Sequence, residues 1–542
     1  MKAKGFDGLE TALADLLAGF ASRAARQDFD QDFRQLVTRL TLALADGHSC
    51  LPITERGKKI AIASGCADES GQLPLTVFAH RLYLTQYFHY EKNLAANCRR
   101  LAKAHTPWQE TRLFAELLPD DPSQRQAAKI ALRRRLCLIS GGPGTGKTST
   151  VVKIIALLLE ADGPALKIAL AAPTGKAAMR LKESVAASLE RLPLPPKISQ
   201  AIPRDSHTLH RLLGARANSP RFRHNLFNPL PYDVLIVDEA SMADLAMMSK
   251  LTEALPENVR LILLGDQDQL ASVESGAVFA EMLAGLPDNS VALTTAYRFN
   301  AAIGAFAQAI CHGDGKAAWA MVVGPDYPEI HLADRAEAET LLAERLSVYM
   351  EVVGNFPAKA GIGEIFAALR HLQTLCAARR GKWGVADVNQ RVERLSRRKG
   401  HAAGHDLWYA GRPVLLRRND FSLGLYNGDL GICLPENAPD GGGFRVWFDG
   451  GGAFRSFPPW RLPEHDTAWA MTIHQSQGSE CAEVLLILPE KDHPVLSREL
   501  LYTGITRARE TIHLVTSQET FRLAVERPVA RHSGLAALLS DM

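Results

Sequence analysis

The strongest chemical signal in the sequence is a glycine-rich loop at residues 141–148, which reads Gly-Gly-Pro-Gly-Thr-Gly-Lys-Thr. It follows an apolar run and opens a helical pattern, the context that a phosphate-binding loop requires. In such a loop, backbone N–H groups surround phosphate oxygens, a lysine reaches the β and γ phosphates, and a hydroxyl holds Mg²⁺. A chance glycine loop is the alternative, which the complete motif disfavours. We predict nucleotide binding by Gly142, Pro143, Gly144, Thr145, Gly146, Lys147, Thr148 and Ser149, with Thr148 on the metal.

Two further groups of polar residues follow apolar runs. Asp238 and Glu239 come directly after Val-Leu-Ile-Val at 234–237. We expect Asp238 to hold the metal through water and Glu239 to polarise the water that attacks a phosphoanhydride. A solvated acid pair is the usual alternative, and the preceding apolar run argues against it. Gln269 would bond the γ phosphate or the water, although Gly-Asp at 265–266 is by itself an ordinary turn, so this role depends on the neighbouring motifs.

A parallel sheet would bring these residues together. After about residue 106 the sequence alternates short apolar runs with helical patterns, which is typical of a parallel sheet wrapped by helices. The unusual polar residues follow the runs, at the edge where open α/β sheets bind their ligands. The predicted strands are Leu136–Ile139, Ile168–Ala171, Val234–Val237, Leu261–Leu264, Val291–Leu293, Leu372–Cys376, Val484–Leu488 and Ile512–Val515.

Two regions depart from this alternation. From Leu9 onward, apolar residues at helical spacing predict an α-helical region of about one hundred residues. Its aromatic residues Tyr83, Tyr87, Phe88 and Tyr90 are spaced so that they could lie along one face of a helix. We favour packing of this face in a core or an interface over stacking on nucleic-acid bases. Between Trp408 and Glu464, short strands with glycine-rich turns predict a small β barrel inserted into the second α/β unit.

Composition narrows the class of protein. A length of 542 residues predicts three to four domains and excludes a single small binding module. The net charge of +3 neither requires nor excludes a nucleic-acid partner. The eight cysteines are scattered singly, which predicts reduced and mostly buried thiols. With no apolar run long enough to cross a bilayer and no secretory pattern, we expect a soluble cytoplasmic protein with no membrane partner.

Taken in order, the motifs resemble those of the superfamily 1B DNA helicases over roughly residues 120 to 515. Beyond the phosphate loop and the acid pair, the similar segments are Ser123-Gln124-Arg125, the runs 171–178 and 206–213, Tyr297-Arg298-Phe299, and the runs 470–480 and 502–509. The resemblance implies ATP and Mg²⁺ as cofactors and DNA as a partner. One departure is that Gln475 stands where the family usually has lysine, and Cys481 where it usually has an aromatic residue.

The resemblance also assigns roles to residues. It implies that Gln124 reads the adenine, that Tyr297 stacks on it and that Glu480 bonds the ribose. Lys147, Glu239, Gln269, Arg298 and Arg507 would be catalytic, with the two arginines supplied by the second α/β unit across a cleft to stabilise the γ phosphate. Thr174, His207 and Thr472 are the expected contacts to DNA phosphates.

The implied architecture is α/β, with two RecA-like P-loop motor domains, an inserted SH3-like β barrel and an α-helical amino-terminal domain. The expected boundaries are 1–105 for the helical domain, 106–293 for the first motor domain with a small insertion, 294–407 and 467–542 for the second, and 408–466 for the barrel. The sequences of residues 47–52 and 81–91 further resemble those of the alpha subunits of exodeoxyribonuclease V.

That finer resemblance implies a 5′-to-3′ DNA helicase within a heterotrimer that unwinds and degrades double-stranded DNA ends in recombinational repair. Its partners would be single-stranded DNA, duplex ends, a helicase-nuclease beta subunit and a scaffold gamma subunit that the amino-terminal domain contacts. Any nuclease activity would belong to a partner. A stand-alone helicase of the same family remains an alternative. A non-catalytic DNA-binding protein is a third, which the intact Lys147, Asp238, Glu239 and Arg507 disfavour.

Overall fold

The apolar runs form strands of two parallel sheets in a computed structural model of the chain. The structure describes residues 8–24, 30–119, 121–216, 219–271, 275–295, 300–356, 361–401, 407–420, 422–436, 443–450 and 453–540. The described residues fall into two compact units. The first comprises those of Met1–Gln267, Ala271–Thr295 and Ala530–Met542, and the second those of Asp268–Leu270 and Ala296–Val529. The α/β architecture with parallel sheets is confirmed.

The amino-terminal region of the first unit combines helices with a small sheet. Its elements are α1 (Leu9–Ala24), α2 (Asp30–Ala45), β1 (Leu51–Pro52), α3 (Glu55–Ala63), β2 (Ala67–Asp68), β3 (Leu75–Phe78), β4 (Arg81–Leu84) and α4 (Thr85–Lys103). The four strands lie in the order β1-β4-β3-β2. Phe33, Val37, Leu75 and Leu82 are buried in one cluster against this sheet. The expected helices form, but the expectation of a helical region left out this four-stranded sheet.

The hairpin between β3 and β4 explains that error. Its two turn residues, Ala79 and His80, both have positive φ, +45° and +58°. Two-residue hairpin turns of this kind usually contain Asn-Gly or Asp-Gly, which makes them recognisable in a sequence, and this turn contains neither. Tyr83 accordingly lies on β4, while Tyr87, Phe88 and Tyr90 lie on α4. The four aromatic residues do not stripe a single helix, but Tyr83 and Phe88 do pack together in a buried cluster, in agreement with the interpretation as core.

A six-stranded parallel sheet forms the rest of the first unit. Its elements are α5 (Arg112–Leu117), α6 (Pro122–Arg133), β5 (Leu136–Gly141), α7 (Lys147–Asp162), β6 (Ile168–Ala172), α8 (Gly175–Arg191), α9 (Pro196–Ala201), β7 (His207–Thr208), α10 (Leu209–Leu213), β8 (Val234–Val237), α11 (Leu245–Glu253), β9 (Arg260–Gly265), α12 (Val278–Gly285) and β10 (Ser290–Leu293). The strand order is β10-β5-β9-β8-β6-β7, and every pair is parallel. Buried clusters pack on both faces of the sheet, which is why its strands read as continuous apolar runs.

The second unit contains a parallel sheet and an antiparallel one. Its elements are α13 (Ala301–Cys311), α14 (Gly315–Val323), β11 (Ile330–Leu332), α15 (Arg335–Gly354), α16 (Ile362–His371), β12 (Leu372–Cys376), α17 (Val385–Arg398), β13 (Pro413–Leu416), β14 (Leu430–Pro435), β15 (Phe444–Asp449), β16 (Phe454–Phe457), β17 (His465–Thr467), β18 (Ala470–Thr472), β19 (Cys481–Ile487), α18 (Arg498–Ile505), β20 (Ala508–Val515) and α19 (Gln518–Glu526). The parallel order is β11-β20-β19-β12-β18, and the antiparallel order is β16-β15-β14-β13-β17. The region from Trp408 to Glu464 thus supplies four strands of one five-stranded antiparallel sheet, which β17 completes.

The carboxyl-terminal helix α20 (Leu535–Ser540) packs on α4 and α12 of the first unit. Glu91 on α4 accepts hydrogen bonds from the backbone N–H of Gly534 and from the hydroxyls of Ser49 and Ser533. Burial raises the pKa of this carboxyl group. The expected domain boundaries placed residues 530–542 with the second motor domain. The structure differs, because these polar contacts and the apolar face of α20 fix the segment to the first unit.

Candidate nucleotide site and motif network

The phosphate loop joins the carboxyl end of β5 to the amino terminus of α7. Its backbone turns through Gly144 and Gly146, whose φ angles are +76° and +79°, a region that L side chains rarely adopt. Gly146 is also the residue that precedes the first turn of α7. The buried hydroxyl of Thr145 donates to the carbonyl of Gly142 at 2.8 Å and closes the loop. The loop therefore presents the free N–H groups of a 16-residue helix at the edge of the sheet.

Lys147 folds back over this loop. Its Nζ donates to the carbonyl oxygens of Gly141, at 2.5 Å, and Gly142, at 3.1 Å. The side chain is only half-buried. A mobile ammonium group satisfied by backbone carbonyls can exchange those acceptors for phosphate oxygens without leaving a buried charge unpaired. The predicted residues 142–149 thus lie together, with Thr148 and Ser149 in the first turn of α7.

Asp238 and Glu239 follow β8, two strands away from β5 in the same sheet. Burial, together with the charge of Glu239, raises the pKa of Asp238 to about 6, and the charge of Lys147 opposes this shift. The electrostatic effect of Lys147 means that the acid and the lysine act on one small region. Glu239 has φ +52°, an unusual conformation for a residue with a side chain. Such strain marks functional positions more often than ordinary turns.

Gln124 lies in the first turn of α6, which Asp121 caps by accepting the N–H groups of Ser123 and Gln124. The glutamine is 4% exposed, and its Oε1 accepts a hydrogen bond from Nζ of Lys153 at 2.9 Å. Lys153 belongs to α7, so the glutamine is fixed against the helix that carries the phosphate loop. Burial lowers the pKa of Lys153. Sequence reasoning missed Lys153, because a lysine within a helix gives no separate signal.

The segment Asp268–Leu270, which contains the predicted Gln269, is held in the second unit. The backbone N–H of Leu270 donates to Oγ1 of Thr503 at 2.9 Å, and its carbonyl accepts from Nε2 of Gln477 at 2.8 Å. The Leu270 side chain is 7% exposed and joins the core of that unit. Gln269 itself is buried and makes further interactions. Gln477 and Thr503 were both missed as individual residues, although each lies within a motif that the sequence identified.

Arg507 lies at the junction of these motifs. The guanidinium is 2% exposed and donates to the carbonyl of Thr503 at 2.9 Å, the carbonyl of Ser479 at 3.2 Å and Oγ1 of Thr506 at 3.3 Å. Within the described part of the chain, no carboxylate forms an ion pair with it. A buried cation without a carboxylate is costly unless an anion binds beside it. The predicted Glu480, directly after Ser479, is half-buried.

Thr472 and Gln475 form a closed local pair at the carboxyl end of β18. Oε1 of Gln475 accepts hydrogen bonds from both the N–H and the hydroxyl of Thr472, each at 3.0 Å. A lysine at position 475 could not accept these bonds, so the departure from the usual family residue has a structural role here. Thr472 is 5% exposed. The contact of Thr472 with DNA stays a prediction.

Thr174 and His207 lie at the carboxyl edge of the first sheet, after β6 and on β7. The Thr174 hydroxyl caps α8 by accepting the N–H of Ala177. Nδ1 of His207 is buried and has no hydrogen-bond partner among the described residues, and burial lowers the pKa of this imidazole. The DNA contacts of both residues stay predictions. The predicted Tyr297 and Arg298 lie outside the described residues.

A phosphate loop on a parallel sheet, an acid pair two strands away and a second parallel sheet with a buried arginine define the class of P-loop nucleoside triphosphatases. Two family models match the chain: an AAA domain over residues 124–275 and a UvrD-like helicase C-terminal domain over residues 467–515. No helix among the described residues is long and apolar enough to span a membrane.

Curated relatives define the family more closely. The RecBCD enzyme subunit RecD of Mycolicibacterium smegmatis is 41% identical over 86% of this chain and 83% of its own. The ATP-dependent RecD2 DNA helicase of Deinococcus radiodurans is 31% identical over 82% of this chain but only 57% of its own. A solved structure of Pif1 helicases at forked DNA covers 76% of this chain and 94% of its own at 18% identity and a TM-score of 0.40. The chain belongs to the RecD family.

Proposed function

We propose that the chain is an ATP-dependent DNA helicase that works as one subunit of a RecBCD-type enzyme. The observation that carries this proposal is the cluster of Lys147, Asp238 and Glu239 at one edge of a parallel sheet in a member of the RecD family. Phosphoryl transfer needs little covalent chemistry from a protein, so positioning and charge supply most of the rate. A phosphate loop, a metal-binding acid and a carboxylate that orients water are the required groups.

The donor set fits Mg²⁺. The hydroxyl of Thr148 and the half-buried carboxylate of Asp238 would hold the ion, which when bound neutralises charge on the phosphates. The described residues contain no group of three or more metal-ligating side chains. This agrees with magnesium rather than with a closed structural metal, because Mg²⁺ usually takes one or two protein ligands and completes its shell with phosphate oxygens and water.

The remaining site residues take the roles that the family pattern gives them. Glu239 would polarise the attacking water and Gln269 would bond the γ phosphate or that water. Arg507 and Arg298 would stabilise the charge that develops in the transition state. Gln124, Tyr297 and Glu480 would hold the base and ribose. Thr174, His207 and Thr472 would contact DNA. The uncompensated charge of Arg507 supports its role in stabilising the transition state, and the strained backbone of Glu239 supports the role of Glu239 in polarising water.

The finer assignment follows the subunit relatives. The chain would be the 5′-to-3′ alpha subunit of a heterotrimer with a helicase-nuclease beta subunit and a scaffold gamma subunit, acting in the cytoplasm on duplex ends during recombinational repair. Nuclease activity would come from a partner, and the antiparallel sheet β13–β17 would be an SH3-like domain. Coverage favours this assignment over a stand-alone helicase, since the chain spans 83% of the RecD subunit but 57% of RecD2.

Two measurements test the proposal. Affinity purification from the native cells is expected to recover two large partner chains, and the assembled complex is expected to unwind tailed duplexes with ATP. The Lys147→Gln complex should assemble normally and lose the contribution of this motor, seen on substrates with only a 5′ tail. Processive unwinding by the isolated chain with no recovered partner would reject the subunit assignment. Unchanged 5′-tail unwinding by the variant would reject the site.

A further inference from the structure

The segment 377–401 carries much of the positive charge of the chain. It contains eight basic and two acidic residues, an excess of six positive charges, whereas the whole chain carries only +3. The rest of the chain is therefore net negative by three. The basic residues are Arg379, Arg380, Lys382, Arg391, Arg394, Arg397, Arg398 and Lys399. A charge concentrated so strongly on one turn and one helix creates a local positive field that the overall composition conceals.

Part of this charge lines a cavity of about 380 Å³ between α17 and the base of the antiparallel sheet. Three guanidinium groups face it, those of Arg394, Arg397 and Arg412, against the single carboxylate of Glu393. That carboxylate is already engaged, because its Oε1 accepts from the Tyr409 hydroxyl at 2.7 Å. The cavity therefore has an excess of donors over acceptors.

Arg412 is the fixed group of this cavity. It is 5% exposed, and its Nη1 donates to the carbonyl of Leu407 at 2.7 Å while its Nη2 donates to Oγ1 of Thr467 at 2.8 Å. Its guanidinium carbon lies 4.8 Å from the centre of the Trp408 ring. Neutral oxygens and an aromatic ring orient the arginine without cancelling its charge, and no carboxylate among the described residues pairs with it. Such an arginine is preorganised for an anion.

Arg394 and Arg397 are the adjustable groups. Both are exposed at the surface of α17, where Nε of Arg394 donates to the carbonyl of Gln390 and Arg397 lies 4.0 Å from Glu393. The planar fork of arginine matches phosphate geometry better than a lysine ammonium does. We propose that the cavity lined by Arg394, Arg397 and Arg412 is a second phosphate-binding site, separate from the phosphate loop, that holds a phosphodiester of the bound nucleic-acid strand.

The same chemistry would also accept a free polyphosphate, so the experiment separates the two sources. The full-length chain and its Arg394→Gln/Arg397→Gln variant are titrated with a fluorescent single-stranded oligonucleotide, without nucleotide, between 50 and 200 mM salt. We expect about fivefold weaker binding at low salt and a salt slope reduced by about 0.7 for each lost phosphate contact. A Lys316→Gln/Lys491→Gln variant, which removes the same charge from exposed positions of the same unit, should retain the original slope.

A second arm measures binding of tripolyphosphate by calorimetry in the Lys147→Gln background, where the phosphate loop is impaired. Binding is compared with and without the Arg394→Gln and Arg397→Gln substitutions. Loss of tripolyphosphate binding with unchanged DNA affinity would identify a free polyphosphate as the ligand and overturn the assignment to a strand. No change in either arm would overturn the site itself. The proposal rests on the proposed function only for the identity of the strand. ATP turnover without DNA separates failure of this second site from failure of the proposed function. The arginine variant should keep this turnover at the wild-type rate. Absence of turnover in the wild-type chain itself would count against the proposed function and not against the second site.

Discussion

Lys147 in the first unit and Arg507 in the second are two cations held mainly by backbone carbonyls. Lys147 is half-buried and bonded only to its own loop. Arg507 is 2% exposed and bonded to both α18 and the loop before β19. One is an adjustable point charge, and the other is a rigid fork that ties two motifs together. The difference indicates that the first site is built to receive phosphate and the second to keep a charge in one place.

This contrast predicts that substitutions of the two residues fail in different ways. Removing Lys147 should abolish chemistry and leave the fold intact, because this half-buried side chain bonds only to carbonyls of its own loop. Removing Arg507 should damage both, because three acceptors, two of them on buried residues, lose their donor.

The largest expected effect is that of Lys147→Gln. Without the ammonium group on the β and γ phosphates, DNA-stimulated ATP turnover should fall by about 10³-fold or more. The thermal unfolding midpoint should stay within about 1 °C of wild type, since the half-buried side chain bonds only to its own loop and glutamine can still donate to those carbonyls. Steady-state ATPase and calorimetry measure the two quantities. Lys167→Gln, an exposed lysine of the same unit, is the matched control and should keep full turnover. A variant that still hydrolyses ATP would remove Lys147 from the site.

Arg507→Lys should have the next largest effect. It keeps the charge but cannot reproduce the fork to Thr503, Ser479 and Thr506. We expect turnover to fall by about 10²-fold and the free energy of unfolding to fall by about 1–3 kcal/mol. Urea denaturation and ATPase assays on one preparation measure both. Exposed Arg509 on β20, changed to lysine, should alter stability little. Full activity in Arg507→Lys would show that only the charge matters and would erase the contrast with Lys147.

Most of the framework of these sites was predictable from sequence, because apolar runs report burial on both faces of a parallel sheet. All eight predicted strands form; six have bounds within two residues of the prediction, whereas β19 and β20 begin three and four residues earlier than predicted. The phosphate loop was equally clear, since its glycines and lysine have fixed spacing. The β3–β4 hairpin was missed because Ala79-His80 lacks the usual turn residues. Gln477 and Thr503 were missed because their partner is the backbone of Leu270, distant in sequence.

Thr503→Val tests whether the hydrogen bond between Leu270 and Thr503 affects turnover as well as stability. Valine keeps the shape but removes the oxygen that accepts the buried Leu270 N–H, which should cost about 1–3 kcal/mol of unfolding free energy. If this bond also fixes Gln269, DNA-stimulated turnover should fall several-fold while the KM for ATP changes little. Thr503→Ser, which retains the hydroxyl, is the control and should recover most of the turnover. Equal turnover in the valine and serine variants would show that the bond is only structural.

The smallest effect expected is a pH-dependent gain in stability from Asp238→Asn. The folded protein raises the pKa of Asp238 to about 6 from an ordinary 3.8, so its ionised form is destabilising. The native carboxyl group therefore favours folding fully only below pH 4, and that contribution is lost as the pH rises through about 6. Asparagine avoids the loss, so the variant should exceed wild type by on the order of 1 kcal/mol at pH 8, because solvent partly screens this half-buried carboxyl group, and by progressively less towards pH 5. Urea unfolding across this range measures the difference between the variant and wild type. A difference that stays level from pH 5 to pH 8 would mean that the acid is not held in the electrostatic environment that distinguishes the phosphate-binding unit.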